Sequence, residues 1–366
     1  MTTRLTIPFL LFTLLLSPLP TRQGAAFAQS ARAVKTYALP AGESPVALLE
    51  SGRRTWLVTQ KSILERQRNQ FVRKMEVPGT IACAVMREQE LWLGTDSGIV
   101  AVNPLTYATR RVALPTGEGY PAITTLFHTP AGAFYAGAAD YGVFAYDPSG
   151  FRKVLGVAPV NAGLATPDSS AWIGTHTGLH HFKNGQWTRY TEEGVANFEI
   201  PGNIVDKLFD DGRGNLWVIT TDGIGVLNRG PRAAGDHGHP PSVKFIGKPG
   251  NQVHGVQYLA GKGFLFATGE GLLLLPTDES HFEGHHAASD RVESPQLLVP
   301  VAPPGAGLAG FRPTLLATTG RQTHWLVGKG TALAVPPRTL RRWLPRSQAP
   351  VASRKGNIGS IAAKKK

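Results

Sequence analysis

The feature that most limits what this chain can become is a short aromatic-rich segment that recurs seven times. The copies begin Thr55-Trp56-Leu57-Val58-Thr59, Leu91-Trp92-Leu93-Gly94-Thr95, Phe134-Tyr135-Ala136-Gly137-Ala138 and Ala171-Trp172-Ile173-Gly174-Thr175. They continue with Leu216-Trp217-Val218-Ile219-Thr220, Phe264-Leu265-Phe266-Ala267-Thr268 and His324-Trp325-Leu326-Val327-Gly328. Counted from the second residue of each, the spacings are 36, 43, 37, 45, 48 and 60. A four-stranded propeller blade takes about 40–50 residues, so the first five spacings fit with short turns and the sixth marks an insertion. Five of the seven Trp fall on one position of this pattern, which ties the repeat to packing rather than chance.

Alternate residues of a strand point to opposite faces, and in a propeller both faces of a blade are covered by its neighbours. Aromatic side chains therefore fill the gaps between blades. The turns Asp96-Ser97-Gly98, His176-Thr177-Gly178, Thr221-Asp222-Gly223 and Gly269-Glu270-Gly271 supply residues that tolerate positive φ after each such strand. Inner strands are expected at Pro45 to Leu49, Ile81 to Met86, Ile123 to His128, Gly163 to Thr166, Ile204 to Phe209, Val253 to Leu259 and Pro313 to Thr318. The more polar Gln186-Trp187-Thr188-Arg189-Tyr190 suits an outer edge. Both Lys35 to Leu39 and Thr339 to Trp343 read as outer strands, one more than seven blades need, so one of them closes the ring. The expected fold is all-β, a seven-bladed β-propeller of four-stranded antiparallel blades, with no amphipathic helix. The 42 Gly and 28 Pro suit many short strands and tight turns.

The segment Ile204-Val205-Asp206-Lys207-Leu208-Phe209-Asp210-Asp211-Gly212-Arg213-Gly214-Asn215-Leu216-Trp217-Val218-Ile219-Thr220-Thr221-Asp222-Gly223-Ile224 resembles the two-component regulator propeller repeat. The segments at Leu91 and Ala171 match that pattern well, and the other four are degenerate. The resemblance implies an extracytoplasmic sensor propeller. In that family a further β-domain, a membrane helix and a kinase usually follow. None is read after the last repeat here, so any kinase that it serves is expected to be a separate polypeptide.

Residues 1–28 read as a signal peptide: Arg4, an apolar run from Leu5 to Leu16, and the small-x-small pattern Ala26-Phe27-Ala28. That run is shorter than the roughly 20 apolar residues of a membrane span. The propeller is then expected over 29–346 and a basic tail over 347–366, giving a periplasmic or secreted protein with no membrane span once the leader is cleaved. The net charge of +13 includes five cations in the last 13 residues. In an exported protein such charge points to anionic envelope polymers or solubility rather than nucleic acid. The single cysteine, Cys83, excludes an internal disulfide and lies in an apolar strand as a small core residue. A monomer is expected.

Two His-rich stretches, with His237 and His239 in one and His281, His285 and His286 in the other, are weak metal candidates, since their flanks promise no rigid scaffold. Asp210-Asp211-Gly212-Arg213-Gly214-Asn215 has the oxygens for calcium but is shorter than an EF-hand loop, and a polar turn explains it more simply. His180 and His181 read as packing residues, one ring to each blade face. Nucleophile-elbow, Walker and His-Glu-x-x-His motifs are absent, and no cofactor is expected. Function is expected at one mouth of the ring, where two sets of loops converge. One set offers Gln60, Lys61, Asp96, Asp140, Tyr141, His176, Asp222, Glu270 and Lys329, and the other offers Tyr120, Asn203 and Gln252. This mixture suits a glycan or a peptide, and the leading expectation is a non-enzymatic binding module. The alternatives are an envelope scaffold docking through its rim or the Thr277 to Phe311 insertion, and a propeller enzyme such as a streptogramin-type lyase.

Overall fold

Each repeat puts its aromatic segment into a strand whose side chains are buried on both faces. Leu91 to Thr95, Ala171 to Thr175 and Leu216 to Thr220 are buried without a break. Trp56, Trp92, Trp172, Trp217 and Trp325 are each no more than 2 % exposed. An indole hides about 200 Å², so at ~25 cal/mol/Å² each contributes about 5 kcal/mol as an upper estimate. The computed structural model describes residues 34–117, 119–192, 200–212, 215–228, 242–243, 252–276, 299–301, 303, 310–320 and 323–344. The leader, the tail 347–366 and the candidates His237, His239, His281, His285 and His286 lie outside the described residues.

The strands run β1 (Lys35–Ala38), β2 (Pro45–Ser51), β3 (Arg54–Thr59), β4 (Ser62–Gln67), β5 (Gln70–Glu76), β6 (Ile81–Arg87), β7 (Glu90–Thr95), β8 (Gly98–Val102) and β9 (Thr109–Val112). Next come β10 (Ile123–His128), β11 (Phe134–Ala138), β12 (Gly142–Asp147), β13 (Gly150–Leu155), β14 (Val160–Ala165), β15 (Ala171–Thr175), β16 (Gly178–Lys183) and β17 (Gln186–Tyr190). The rest are β18 (Val205–Asp210), β19 (Asn215–Thr220), β20 (Ile224–Asn228), β21 (Ser242–Val243), β22 (Val253–Leu259), β23 (Gly263–Thr268), β24 (Gly271–Leu275), β25 (Val299–Val301), β26 (Pro313–Thr318), β27 (His324–Gly328) and β28 (Thr331–Val335). They form five four-stranded sheets, each a run of consecutive antiparallel strands, and one eight-stranded sheet in the order β2-β3-β4-β5-β1-β28-β27-β26. The inner strands β2, β6, β10, β14, β18, β22 and β26 each contact the next, and β26 returns to β2. The sheets therefore close into a ring around those strands.

The seam of the ring answers which terminal segment closes it. β1 pairs antiparallel with β28, matching Lys35 with Ala334 and Ala38 with Thr331, and meets β5 only at Ala38 and Gln70. Tyr37 packs there between Phe71 and Trp325, with ring centroids 5.8 Å and 5.3 Å away. The other candidate is not a strand. Pro337–Trp343 forms a short helix, α1, with Pro at its start and basic residues in its last turn. Proline cannot donate to a sheet ladder but is preorganised for a helix start, and Leu340 and Leu344 cover the apolar cluster of β24, β27 and β28. The expectation of no helix beyond the leader is corrected to that extent. The fourth inner strand starts at Val160, three residues before the expected Gly163.

Packing between neighbouring sheets runs through the Trp register. Trp92 meets Phe134, Tyr146 and Phe151 edge-on, and Trp217 meets Phe264 and Phe266 in the same way. Cys83 touches Gly94 and Leu126, and burial pushes its thiol up to about 12, the behaviour of a core residue.

Candidate functional site

Successive strands run in opposite directions, so the turns after each second strand and the connections into each inner strand gather at one end of the ring. The turns after first and third strands gather at the other end. At the first end five of the seven second strands finish in a threonine that organises the turn. Thr95 Oγ1 donates to the Gly98 carbonyl at 2.8 Å and accepts from the Ser97 amide. Thr175, Thr220 and Thr268 repeat this bond to Gly178, Gly223 and Gly271, and Thr59 makes it to Ser62. Gly98, with φ +104, lies beneath Tyr120, where an added Cβ would come within 2.8 Å of the Tyr120 Cβ.

Backbone bonds then tie these turns to the incoming connections. The Gln60 amide donates to the Ser44 carbonyl, Asp96 to Thr80, Ala139 to Ala122, His176 to Pro159, Thr221 to Ile204 and Gly269 to Gln252. The structure therefore brings together, in six of the seven repeats, the two loop sets named from the sequence. Gln60, Lys61, Asp96, Tyr120, Asp140, His176, Asp222, Gln252, Glu270 and Lys329 are exposed, and Tyr141 and Asn203 are partly so. Some of them also serve the fold. Asp96 Oδ2 accepts from the Thr80 amide at 2.9 Å, Asn203 Oδ1 from the Glu192 amide at 3.0 Å, and Tyr120 stacks beneath Arg111 at 4.7 Å.

Three features of this end escaped the sequence reading. Every inner strand slips register just after its first residue, leaving Val46, Ala82, Thr124, Asn161, Asp206, His254 and Thr314 bulged. Bulges re-aim side chains and cluster at functional rims. Single-sequence alternation gives no sign of a one-residue slip. The second feature is a lacing of inner strands: Asn161 Nδ2 donates to the Val205 carbonyl and Lys207 Nζ to the Val253 carbonyl, both at 3.0 Å. Desolvation lowers the Lys207 pKa, with Asp206 opposing, and burial beside the Lys207 charge lowers that of His254. The third is Glu43, whose side chain is 3 % exposed against 42 % for its partner Arg73. It accepts from Ser62 Oγ at 2.7 Å, from Arg73 at 2.7 and 3.0 Å, and from Thr59. Burial alone would raise its carboxyl, but the bonds from Ser62, Thr59 and Arg73 outweigh that and hold it low.

Two clefts open at the opposite end. One, of 590 Å³, lies among β18, β22, β26 and α1 and is lined by Asp210, Gln257, His324 and Arg341 among others. Gln257 Nε2 reaches His324 Nδ1 at 2.9 Å, and burial next to Arg341 lowers the His324 pKa. The other, of 650 Å³, sits over the seam. The polar turn at Asp210 to Asn215 is held from within. Asp210 Oδ1 accepts from the Gly212 amide at 2.7 Å, while Asp211 Oδ2 accepts from Asn215 Nδ2 at 2.7 Å and Trp217 Nε1 at 3.1 Å. His180 and His181 lie between sheets as the sequence implied, His181 stacked on Trp172 at 3.8 Å.

No family model and no curated protein matches the chain. Solved structures do. The extracellular domain of a protein described as a hybrid two-component system, BT4673 of B. thetaiotaomicron, is similar with a TM-score of 0.60 at 16 % identity, over 82 % of this chain and 39 % of that one. This chain thus spans well under half of that extracellular domain. A catalytically inactive virginiamycin B lyase from Staphylococcus aureus with quinupristin gives 0.56 at 13 % identity, covering 82 % and 99 %. YCF48 bound to D1 peptide gives 0.56 at 12 %, covering 83 % and 95 %. Among the described residues no helix is long and apolar enough to cross a membrane. The chain is a β-propeller, and its resemblance to the extracellular domains of two-component systems holds in three dimensions at the level of the fold.

Proposed function

We propose that this chain is an exported, seven-bladed, non-enzymatic binding module that recognises a glycan or peptide at its polar turn end. On this reading residues 1–28 are the leader, 29–346 the propeller and 347–366 a basic tail. The closed cycle of seven inner strands supports the blade count. The observation that carries the function is the tying of six of the seven turns to the incoming connection. It holds Gln60, Lys61, Asp96, Tyr120, Tyr141, His176, Asn203, Asp222, Gln252 and Glu270 on one rigid end, with Lys329 in the seventh turn at the same end, and preorganised groups bind at lower entropic cost. The similarity to extracellular sensor domains supports a sensing role. A peptide-docking scaffold is the second reading, favoured by the likeness to a propeller that holds a peptide.

The test is a thermal-shift screen of the chain from residue 29 onward against neutral and acidic oligosaccharides, peptides and divalent cations. A ligand of the polar end should raise Tm by several degrees. That shift should vanish in a Lys61→Ala/His176→Ala/Glu270→Ala/Lys329→Ala variant, whose own Tm stays near that of the parent. If every shift survives those substitutions, recognition lies elsewhere. Turnover of any screened compound would overturn the non-enzymatic reading.

A further inference from the structure

The 650 Å³ cleft over the seam is large enough for a small ligand, and its lining is heavily biased in sign. Lys35 enters from β1, Arg53 from the turn between β2 and β3, and Arg66 and Arg68 from the β4–β5 hairpin, against Glu50 as the one carboxylate. Glu50 already accepts from Thr55 Oγ1 at 3.2 Å. Cations nearby in the sequence are treated differently. Arg54 and Lys74 both pair with Glu65, and Arg73 pairs with Glu43 and Glu76. Among the described residues, none of the four cleft cations has a carboxylate within ion-pair distance. The acidic side chains of this quarter of the ring are engaged elsewhere, and four positive charges are left facing one concavity.

Arg68 is placed by the turn of the β4–β5 hairpin. It sits in the hairpin turn with φ 46, the left-handed region that a side chain enters at a cost and glycine enters freely. Glu88, Tyr107, Ser169 and Asn184 take the same region in other turns, so the conformation belongs to the turn, and that turn carries the Arg68 guanidinium to the cleft. Arg66 is placed differently, its guanidinium 5.8 Å above the Trp325 ring, which forms part of the buried floor.

We propose that this cleft binds a small polyanion carrying clustered phosphate or sulfate groups. Like charges converging in a cavity with low-dielectric walls focus a positive potential, and the arginine fork meets tetrahedral oxyanions through paired bonds. The lining sums to +3, from four cations and Glu50, so a ligand with about three negative charges neutralises it. Trp325 and Tyr37 are buried beneath the cleft, so no aromatic face is offered for a nucleobase to stack on. This site is at the opposite end of the ring from the one proposed above, and neither proposal depends on the other.

The experiment is calorimetric titration of the chain from residue 29 onward with tripolyphosphate and, separately, with a trisulfated disaccharide. Binding should weaken as salt is added, and whichever probe binds more tightly identifies the source of the oxyanions. Arg53→Ala/Arg68→Gly should lower affinity at least tenfold while Tm holds or rises, because glycine relieves the left-handed turn. Arg152→Ala/Lys153→Ala removes the same charge from the exposed outer strand β13, outside both proposed sites, and should leave affinity unchanged. Equal losses in the two variants, unchanged affinity in the first, or no binding of either probe at millimolar concentration would each overturn the proposal.

Discussion

His180 shows what a position between two sheets demands of a polar side chain. It is 6 % exposed, its Nε2 has no hydrogen-bond partner among the described residues, and burial together with Arg189 lowers its pKa to about 4. The unfolded chain takes up the proton first, near pH 6.5. Stability from neutral His180 is therefore complete above pH 6.5 and is lost as pH falls from 6.5 toward 4, amounting to about 3 kcal/mol at most. His180→Leu should flatten that loss, so the fall in Tm between pH 7 and pH 5 shrinks relative to the parent. An unchanged fall would assign the acid sensitivity to other groups. A packing role for His180 was legible in the run Gly178-Leu179-His180-His181-Phe182. That its ring would lack a partner was not, because the partner's place belongs to strands distant in sequence. The same holds for Glu43, whose partners Thr59, Ser62 and Arg73 assemble only in the folded sheet.

At the scale of elements, the repeat placed most strands correctly, because two-sided burial forces aromatic and aliphatic residues into every second strand. β10, β17, β22 and β26 match the expected bounds. The ends of the chain were ambiguous because Lys35 to Leu39 and Thr339 to Trp343 share a mixed polar and apolar pattern. Pairing decides between them. β28 takes β1 as its outer partner, and Pro336-Pro337 then stops the ladder and turns the chain into α1. Tyr37 anchors that pairing at 4 % exposure between Phe71 and Trp325. Tyr37→Ala should cost about 3–5 kcal/mol, as large aromatic truncations in a core do. Chemical denaturation measures this, and a loss under 1 kcal/mol would mean that the seam draws its strength from elsewhere.

For the whole molecule, fold and site were legible to different degrees for one physical reason. Core positions are constrained by packing on two sides and so repeat in sequence. Exposed turn residues such as Lys61, His176 and Glu270 face solvent, meet no such packing demand and do not repeat. The sequence therefore located the polar end by topology, while the seam cleft depends on charges from β1, the β2–β3 turn and the end of the β4 hairpin meeting across the closure. Both ends presuppose a closed ring. Hydrogen exchange read by mass spectrometry on the chain from residue 29 onward tests that closure directly. Amides of Lys35–Ala38 should exchange about as slowly as those of Thr331–Val335, the strand to which they are paired. Exchange at Lys35–Ala38 as fast as in a free terminus would contradict the closed ring.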